Sequence, residues 1–140
     1  MSNFVHVSSD TQTIAAEPLF YPSTPHPVIT SNIMTLEPGA VTPWMVHPVQ
    51  AYLYVLEGTL TVEFADKGAT LKFEAGRAFL QTRTSWHRGR NDGSTPLRLL
   101  SVFMGERDIP IMLYPPAGEV VEESTTVMEV QEPKAARNKS

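Results

Sequence analysis

Residues 38–58 read PGAVTPWMVHPVQAYLYVLEG, and this stretch decides the fold of the chain. It opens with a Pro-Gly turn, carries Met45 and His47 two positions apart, and continues into an apolar run over residues 52–56. Side chains alternate between the two faces of a β-strand, so Met45 and His47 are expected to point to the same side. If that side is the interior of a barrel, the stretch brings a thioether and an imidazole into one pocket.

Length and composition indicate one globular domain. The chain has 140 residues, no cysteine and a formal net charge of -4. A chain of this length is expected to bury a core of its own. The absence of cysteine excludes disulfides, thiolate zinc sites and thiol nucleophiles. The acidic charge and the lack of a basic cluster argue against nucleic acid as a partner.

The first twenty residues contain Asp10 and Glu17 but no lysine, arginine or apolar run. This is not the pattern of a secretory signal. No apolar run is long enough to span a bilayer, so a membrane is not an expected partner. These features predict a cytoplasmic protein.

Proline and glycine positions predict an all-β fold. Seven of the twelve prolines lie between residues 18 and 48, and none lies between residues 49 and 95. Proline is kept out of central strands, so the paired sheet is expected in the proline-free block. Short segments between glycine turns favour a sandwich or barrel. Strands are predicted over residues 28–36, 52–56, 59–64, 71–73, 78–82 and 97–104, with hairpin-type turns at residues 57–58 and 91–94.

Two segments resemble the two sequence motifs of the cupin superfamily. The first motif runs from a glycine through His-x-His and a glutamate to a second glycine. Gly39 and Gly58 match its ends, and His47 matches the second histidine. Met45 stands in place of the first histidine, and Ala51 stands in place of the glutamate. The resemblance is therefore to a degenerate form of the motif.

The second cupin motif runs from a glycine, through an internal proline and glycine, to a histidine and an asparagine. Gly76, His87 and Asn91 match it, whereas Thr82 and Thr84 replace the internal proline and glycine. The resemblance covers residues 28–105. The chain looks particularly like small, single-domain bacterial cupins of type 2.

The resemblance implies a small jelly-roll β-barrel over residues 28–105 that associates as a homodimer. Residues 1–27 are expected to form an extended N-terminal arm, with Phe20 and Tyr21 as its anchors. Residues 106–140 are expected to form a C-terminal extension that is partly mobile.

Metal-dependent cupins hold their metal with three histidines and a glutamate. Carried over by position, His47 and His87 are the nitrogen ligands that remain, and Met45 offers a soft thioether. This set favours at most a weakly bound divalent transition metal or copper ion. Gln81 stands where similar proteins often carry an acidic residue, and it adds a neutral amide. The expected ligand-binding residues are Met45, His47, Gln81 and His87, and the expected apolar lining comes from Leu53, Val55, Leu60, Val62, Phe79 and Leu99.

Three functions fit this pattern. The first is a cupin that binds a small organic molecule in its barrel without a tight catalytic metal. The second is an enzyme, either a metal-dependent dioxygenase or isomerase, or one in which His47 and His87 act as acid and base. The third is a structural dimerisation module, which needs no pocket.

Overall fold

The computed structural model describes residues 3–66 and 68–116 of the chain. Most of the predicted C-terminal extension lies outside the described residues. The described part contains seven β-strands: β1 (Pro27–Leu36), β2 (Gln50–Glu57), β3 (Thr59–Phe64), β4 (Thr70–Glu74), β5 (Ala78–Leu80), β6 (His87–Arg90) and β7 (Leu97–Glu106). The six predicted strands are confirmed, and β6 is a further strand.

The strands form two antiparallel sheets that face each other. One sheet has the order β1-β7-β2-β5, and the other has the order β4-β3-β6. Inward side chains of both sheets make one apolar core, in which each fully buried aliphatic side chain contributes about 1.5–3 kcal/mol. The predicted all-β jelly-roll barrel is thus confirmed.

The turn at Gly58 is not a hairpin, because β2 and β3 lie in different sheets. Gly58 has a φ of 79°, and a Cβ added there would lie 2.6 Å from the carbonyl oxygen of Pro96. Only glycine fits this corner, since a side chain would meet both backbone strain and a steric clash. A register shift between Val55 and Glu57 bends β2 just before the corner.

The turn at residues 91–94 also joins different sheets, since β6 pairs with β3 and β7 pairs with β1 and β2. Asn91 is fully buried there, and its amide donates to the carbonyls of Leu36 and Thr95 while accepting from the backbone N–H of Gly93. The prediction of two hairpins was therefore wrong. Turn residues alone do not show whether a chain returns beside its own strand or crosses to the facing sheet.

The N-terminal arm is attached differently from the prediction. Tyr21 is 91% exposed and Phe20 is 50% exposed, so neither ring is a buried anchor. The backbone of Phe20 is instead held by the side-chain amide of Gln50. The backbone N–H of Ile14 donates to the carbonyl of Leu80 at the edge of the first sheet. Hydrogen bonds to the backbone therefore hold the arm, together with Ile14 and Ala15, which pack against the core.

Glu17 makes a further attachment of the arm. Its carboxylate accepts from the backbone N–H groups of Arg83 and Thr84 and from the hydroxyls of Thr13 and Thr84. Burial raises the pKa of Glu17, but these hydrogen bonds outweigh it and lower the pKa to about 2. The ionised carboxylate thus ties the arm to the loop before β6.

The described part of the chain offers no helix with the length and apolarity needed to cross a membrane.

Candidate functional site

A cavity of about 540 Å³ lies between the two sheets. Residues of the described chain that line it include no aspartate, glutamate, lysine or arginine. Its main apolar lining comes from Met34, Met45, Leu53, Leu60, Val62, Leu99, Phe103 and Met112, and its polar lining comes from Asn32, Thr35, Thr42, His47, Gln81, His87 and Ser101. The wall is therefore mostly apolar, with a few polar groups at defined positions.

All four predicted ligand-binding residues lie on this cavity. Met45 exchanges two backbone hydrogen bonds with His87, the first residue of β6, at N–O distances of 2.8 and 3.0 Å. This pairing places the thioether and one imidazole side by side. His47 follows two positions later on the same side, and Gln81 follows β5. The backbone pairing of Met45 with His87 thus places the side chains of His47 and His87, forty residues apart in the sequence, on one wall of the cavity.

Each imidazole is fixed by a backbone carbonyl. The Nδ1 atom of His47 lies 2.9 Å from the carbonyl oxygen of Ile111, and the Nδ1 atom of His87 lies 3.0 Å from that of Ser85. A carbonyl oxygen only accepts hydrogen bonds, so both Nδ1 atoms carry the proton. In neutral rings, both Nε2 atoms then present lone pairs.

These two Nε2 atoms face each other at 3.0 Å. A hydrogen bond between them needs a third proton, and two neutral rings carry only two. Burial lowers the pKa of His47 to about 4, against the opposing effect of the Ile111 carbonyl. Burial and the nearby charge of His47 lower the pKa of His87 to about 3, against the Ser85 carbonyl and the charge of Glu17. At neutral pH both rings are therefore uncharged, and their Nε2 lone pairs have no donor among the described residues.

A second polar group on the cavity wall was missed from the sequence. Asn32 of β1 lies opposite Ser101 of β7, and both line the cavity. The Nδ2 atom of Asn32 is buried and has no hydrogen-bond partner among the described residues. The available signal was a polar residue at an inward position of a strand, between Thr30 and Met34. The wall thus presents an unpaired donor as well as unpaired acceptors.

Gln81 is buried, and its Oε1 atom accepts from the backbone N–H of Thr82. This leaves its amide nitrogen as the remaining donor. Four of the six predicted lining residues, Leu53, Leu60, Val62 and Leu99, line the cavity. The other two, Val55 and Phe79, are buried in the core instead.

The donor set does not fit a hard divalent metal. Among residues 3–66 and 68–116, no three His, Asp or Glu side chains converge on a point. Ala51 is buried where the resemblance would require a glutamate, and it supplies no ligand. Two imidazole nitrogens and a neighbouring thioether lack the oxygen ligands that manganese or iron(II) prefers.

The chain matches a known family model and a curated protein. A family model described as "Cupin domain" matches residues 32–103. Germin-like protein 5-1 from Oryza sativa subsp. japonica is 33% identical over 91 residues, which are 59% of this chain and 41% of the rice protein. The chain thus spans less than half the length of this curated relative.

Solved structures share the fold. A mutant of Bacillus subtilis oxalate decarboxylase superposes with a TM-score of 0.51 at 29% identity, over 56% of this chain and 22% of the decarboxylase. Another structure of that enzyme concerns its Mn(II) centres. An uncharacterised double-stranded β-helix protein from Klebsiella pneumoniae, with a TM-score of 0.51 at 21% identity over 61% of this chain and 83% of that protein, supports the fold alone.

Proposed function

The chain belongs to the cupin family, and we propose that it uses the cupin barrel to bind a small organic molecule without a tightly held catalytic metal. The observation that carries this proposal is the cavity between the two sheets, with unpaired polar groups on its wall. A volume of about 540 Å³ is within the usual range for small-molecule sites. A structural module has no need of such a cavity, so the third function is disfavoured.

The wall chemistry supports an uncharged ligand with an apolar body. No charged side chain of the described residues lines the cavity, so an ionic ligand would lose its hydration without gaining a counter-charge. The aliphatic, aromatic and thioether side chains provide dispersion contacts instead. The ligand class is therefore a small, neutral and largely apolar molecule.

The unpaired groups add a hydrogen-bonding requirement. The Nε2 lone pairs of His47 and His87 need a donor, such as a hydroxyl group. The Nδ2 atom of Asn32 needs an acceptor, such as a carbonyl oxygen. A buried polar group without a partner costs about 1–3 kcal/mol, which a matching ligand would recover. We infer that the ligand carries both a hydroxyl and a carbonyl or ether oxygen.

The metal-dependent enzyme is the second candidate, and it rests on the match of His47 and His87 to the two cupin motifs rather than on a complete ligand set. Ala51 supplies no carboxylate, and Met45 stands in place of a histidine. Both differences favour ligand binding without a metal. In such a pocket the two neutral imidazoles accept a hydrogen bond from the ligand and fix its orientation.

Ligand-induced thermal stabilisation tests the proposal. The full chain is treated with a chelator and screened with hydroxyaryl ketones and with their methyl ethers, which have the same body but no hydroxyl donor. The ketones should raise the unfolding temperature, because a ligand at about 100 times its Kd stabilises by about 2.7 kcal/mol. The methyl ethers should give a clearly smaller shift.

The same screen with added Mn(II), Zn(II) or Cu(I) separates the two candidates. If compounds bind only when metal is present, the metal-dependent alternative is correct. If hydroxyl and methyl ether compounds bind equally without metal, the assigned role of the two imidazoles is wrong.

A further inference from the structure

The N-terminal arm doubles back on itself before it reaches β1. An antiparallel bridge joins its two parts, and the backbone N–H of Leu19 donates to the carbonyl of Thr11 at 2.9 Å. Residues 8–12 form an outgoing limb, and residues 18–22 form a returning limb beside it. The arm therefore presents two neighbouring segments to the sheet rather than one.

Both limbs are attached to β2. On the outgoing limb, the hydroxyl of Ser8 lies 2.5 Å from the hydroxyl of Tyr52. On the returning limb, the backbone N–H of Phe20 donates to the side-chain oxygen of Gln50, and the carbonyl of Phe20 accepts from the side-chain nitrogen. Gln50 is buried, so water does not compete for these two hydrogen bonds. The limbs are thus held at fixed positions over the sheet.

A groove of about 390 Å³ lies between the two limbs and the sheet, and we call it the arm groove. The sheet supplies its floor through Tyr52, Val102 and Met104, and the limbs supply its walls. Side chains alternate along β7, so Val102 and Met104 line this groove while Ser101 and Phe103 line the cavity between the sheets. The arm groove is therefore a separate site, and its volume is within the usual range for small-molecule sites.

One carboxylate lies among the apolar side chains of the arm groove. Asp10 is the only charged residue of the described chain that lines it. The Oδ2 atom of Asp10 is buried and has no hydrogen-bond partner among the described residues. Asp10 also forms no ion pair with any of them. A carboxylate oxygen withdrawn from water without a partner costs free energy, which a cationic donor would recover. Charge complementarity therefore favours a positively charged ligand.

Aromatic rings in the arm groove favour the same kind of ligand, because the face of an aromatic ring attracts a cation. Phe20, Tyr21 and Tyr52 all line the groove. The guanidinium of Arg83 already lies 4.9 Å from the centre of the Phe20 ring, and Arg83 does not line the groove. Tyr21 and Tyr52 are therefore the rings that remain for a second cation. Aromatic surface also packs well against an apolar body.

We propose that the arm groove binds a small organic ammonium ion with an apolar body, such as an arylalkylamine. The ammonium group lies at Asp10, and the body packs on Tyr52, Val102 and Met104. This site is on the opposite face of the sheet from the cavity between the sheets. It is therefore independent of the molecule that we propose for that cavity.

NMR of the full chain with labelled methionine methyl groups locates the ligand. Met104 lines the arm groove, whereas Met34, Met45 and Met112 line the cavity between the sheets. Phenethylamine should shift the Met104 signal and leave the three cavity signals in place. Phenethyl alcohol has the same ring and chain but no charge, and it should bind about tenfold more weakly. Equal affinity for the two compounds, an unmoved Met104 signal, or shifts of the cavity methyls instead would overturn the proposal.

Substitutions test the assigned contacts. Asp10→Asn keeps the shape of the side chain and removes its charge, so it should weaken phenethylamine binding about tenfold. Asp66→Asn is the matched control, since it neutralises an exposed carboxylate after β3 and should leave the affinity unchanged. Val102→Phe fills the floor of the groove without touching the charge, and it should abolish the Met104 shift. Wild-type affinity in either Asp10→Asn or Val102→Phe would show that the amine does not lie in the arm groove.

Discussion

The Nε2 atom of His47 lies 3.0 Å from the Nε2 atom of His87 across the cavity wall. Both rings use their Nδ1–H groups on backbone carbonyls, so in the neutral pair neither Nε2 atom has a proton to share. Two acceptors are thus held together in a buried, apolar place. This arrangement costs folding energy, and it makes the wall a receptor for a hydrogen-bond donor.

The buried histidines should make stability depend on pH. In the unfolded chain their pKa is about 6.5, whereas burial lowers the pKa of both rings in the folded chain. Above pH 6.5 the rings are neutral in both states, and their contribution to stability is fully present. As the pH falls below 6.5, the unfolded chain binds protons first, so the free energy of unfolding falls, by up to about 1.4 kcal/mol per pH unit for each ring.

Urea unfolding of the full chain between pH 8 and pH 5 measures this effect. His26→Gln is the control, since His26 is exposed and its replacement should leave the curve unchanged. A free energy of unfolding that stays constant from pH 7 to pH 5 would show that the two rings are not buried in the neutral form.

Asn32→Leu should stabilise the ligand-free protein and weaken ligand binding. Leucine has a similar size and removes a buried donor that has no partner, which should raise stability by about 1 kcal/mol. The same change removes the donor that we assign to the ligand's acceptor oxygen. Thermal unfolding with and without a hydroxyaryl ketone measures both effects. Ser31→Ala, at the neighbouring outward position of β1, should change neither by a comparable amount; a loss of stability in Asn32→Leu would contradict the assignment.

Met45→His should convert the wall into a metal site with three nitrogen ligands. Met45 is paired through its backbone with His87, so the new imidazole would lie beside the existing two. Catalytic metal sites typically use three protein ligands, and we expect the affinity for Zn(II) to rise about tenfold or more. Calorimetric titration measures it, with Met34→His, a cavity methionine of β1, as the control. An unchanged affinity would mean that residue 45 does not point at the imidazole pair.

Glu17→Gln should loosen the N-terminal arm. The change keeps the shape of the side chain but removes the charge and one acceptor from the contacts with Arg83, Thr84 and Thr13. Because the carboxylate is partly exposed, we expect a loss of about 1–2 kcal/mol. The pKa of Glu17 is lowered, so its contribution is present above about pH 4.5 and is lost as the pH falls towards 2. Faster amide exchange of residues 83 and 84 in Glu17→Gln would support this, and unchanged exchange would contradict it.

The sequence predicted the strands from local patterns, and it predicted the imidazole pair from the resemblance to the two cupin motifs. Alternating polar and apolar residues and glycine turns mark the strands. Met45 and His47 are two positions apart, so they point to the same side of an extended segment in any arrangement of the sheets. Sequence comparison then related His47 to His87 through two separate motifs. The strand signals lie within a few neighbouring residues, and the histidine signal lies in the fixed spacings of the two motifs.

The hairpins and the arm anchors were predicted wrongly because they depend on long-range packing. Gly58 and Asn91 have ordinary turn chemistry, and only the position of the facing sheet decides that the chain crosses there. Phe20 was expected to anchor the arm, but its ring is half-exposed, and its contacts are backbone hydrogen bonds to Gln50 and the Arg83 guanidinium over the ring. Asn32 was missed since an isolated polar residue in a strand has no local signature that separates a cavity wall from solvent.

The protonation state of His47 and His87 tests the central claim most directly. Nitrogen NMR of the histidine side chains, in chelator-treated full chain at pH 7, distinguishes protonated from unprotonated ring nitrogens. We predict two neutral rings with the proton on Nδ1 and a bare Nε2 on each, and a shift of both Nε2 signals when a hydroxyaryl ketone is added. A protonated Nε2 on either ring, or Nε2 signals that respond to metal but to none of the organic compounds, would contradict the account.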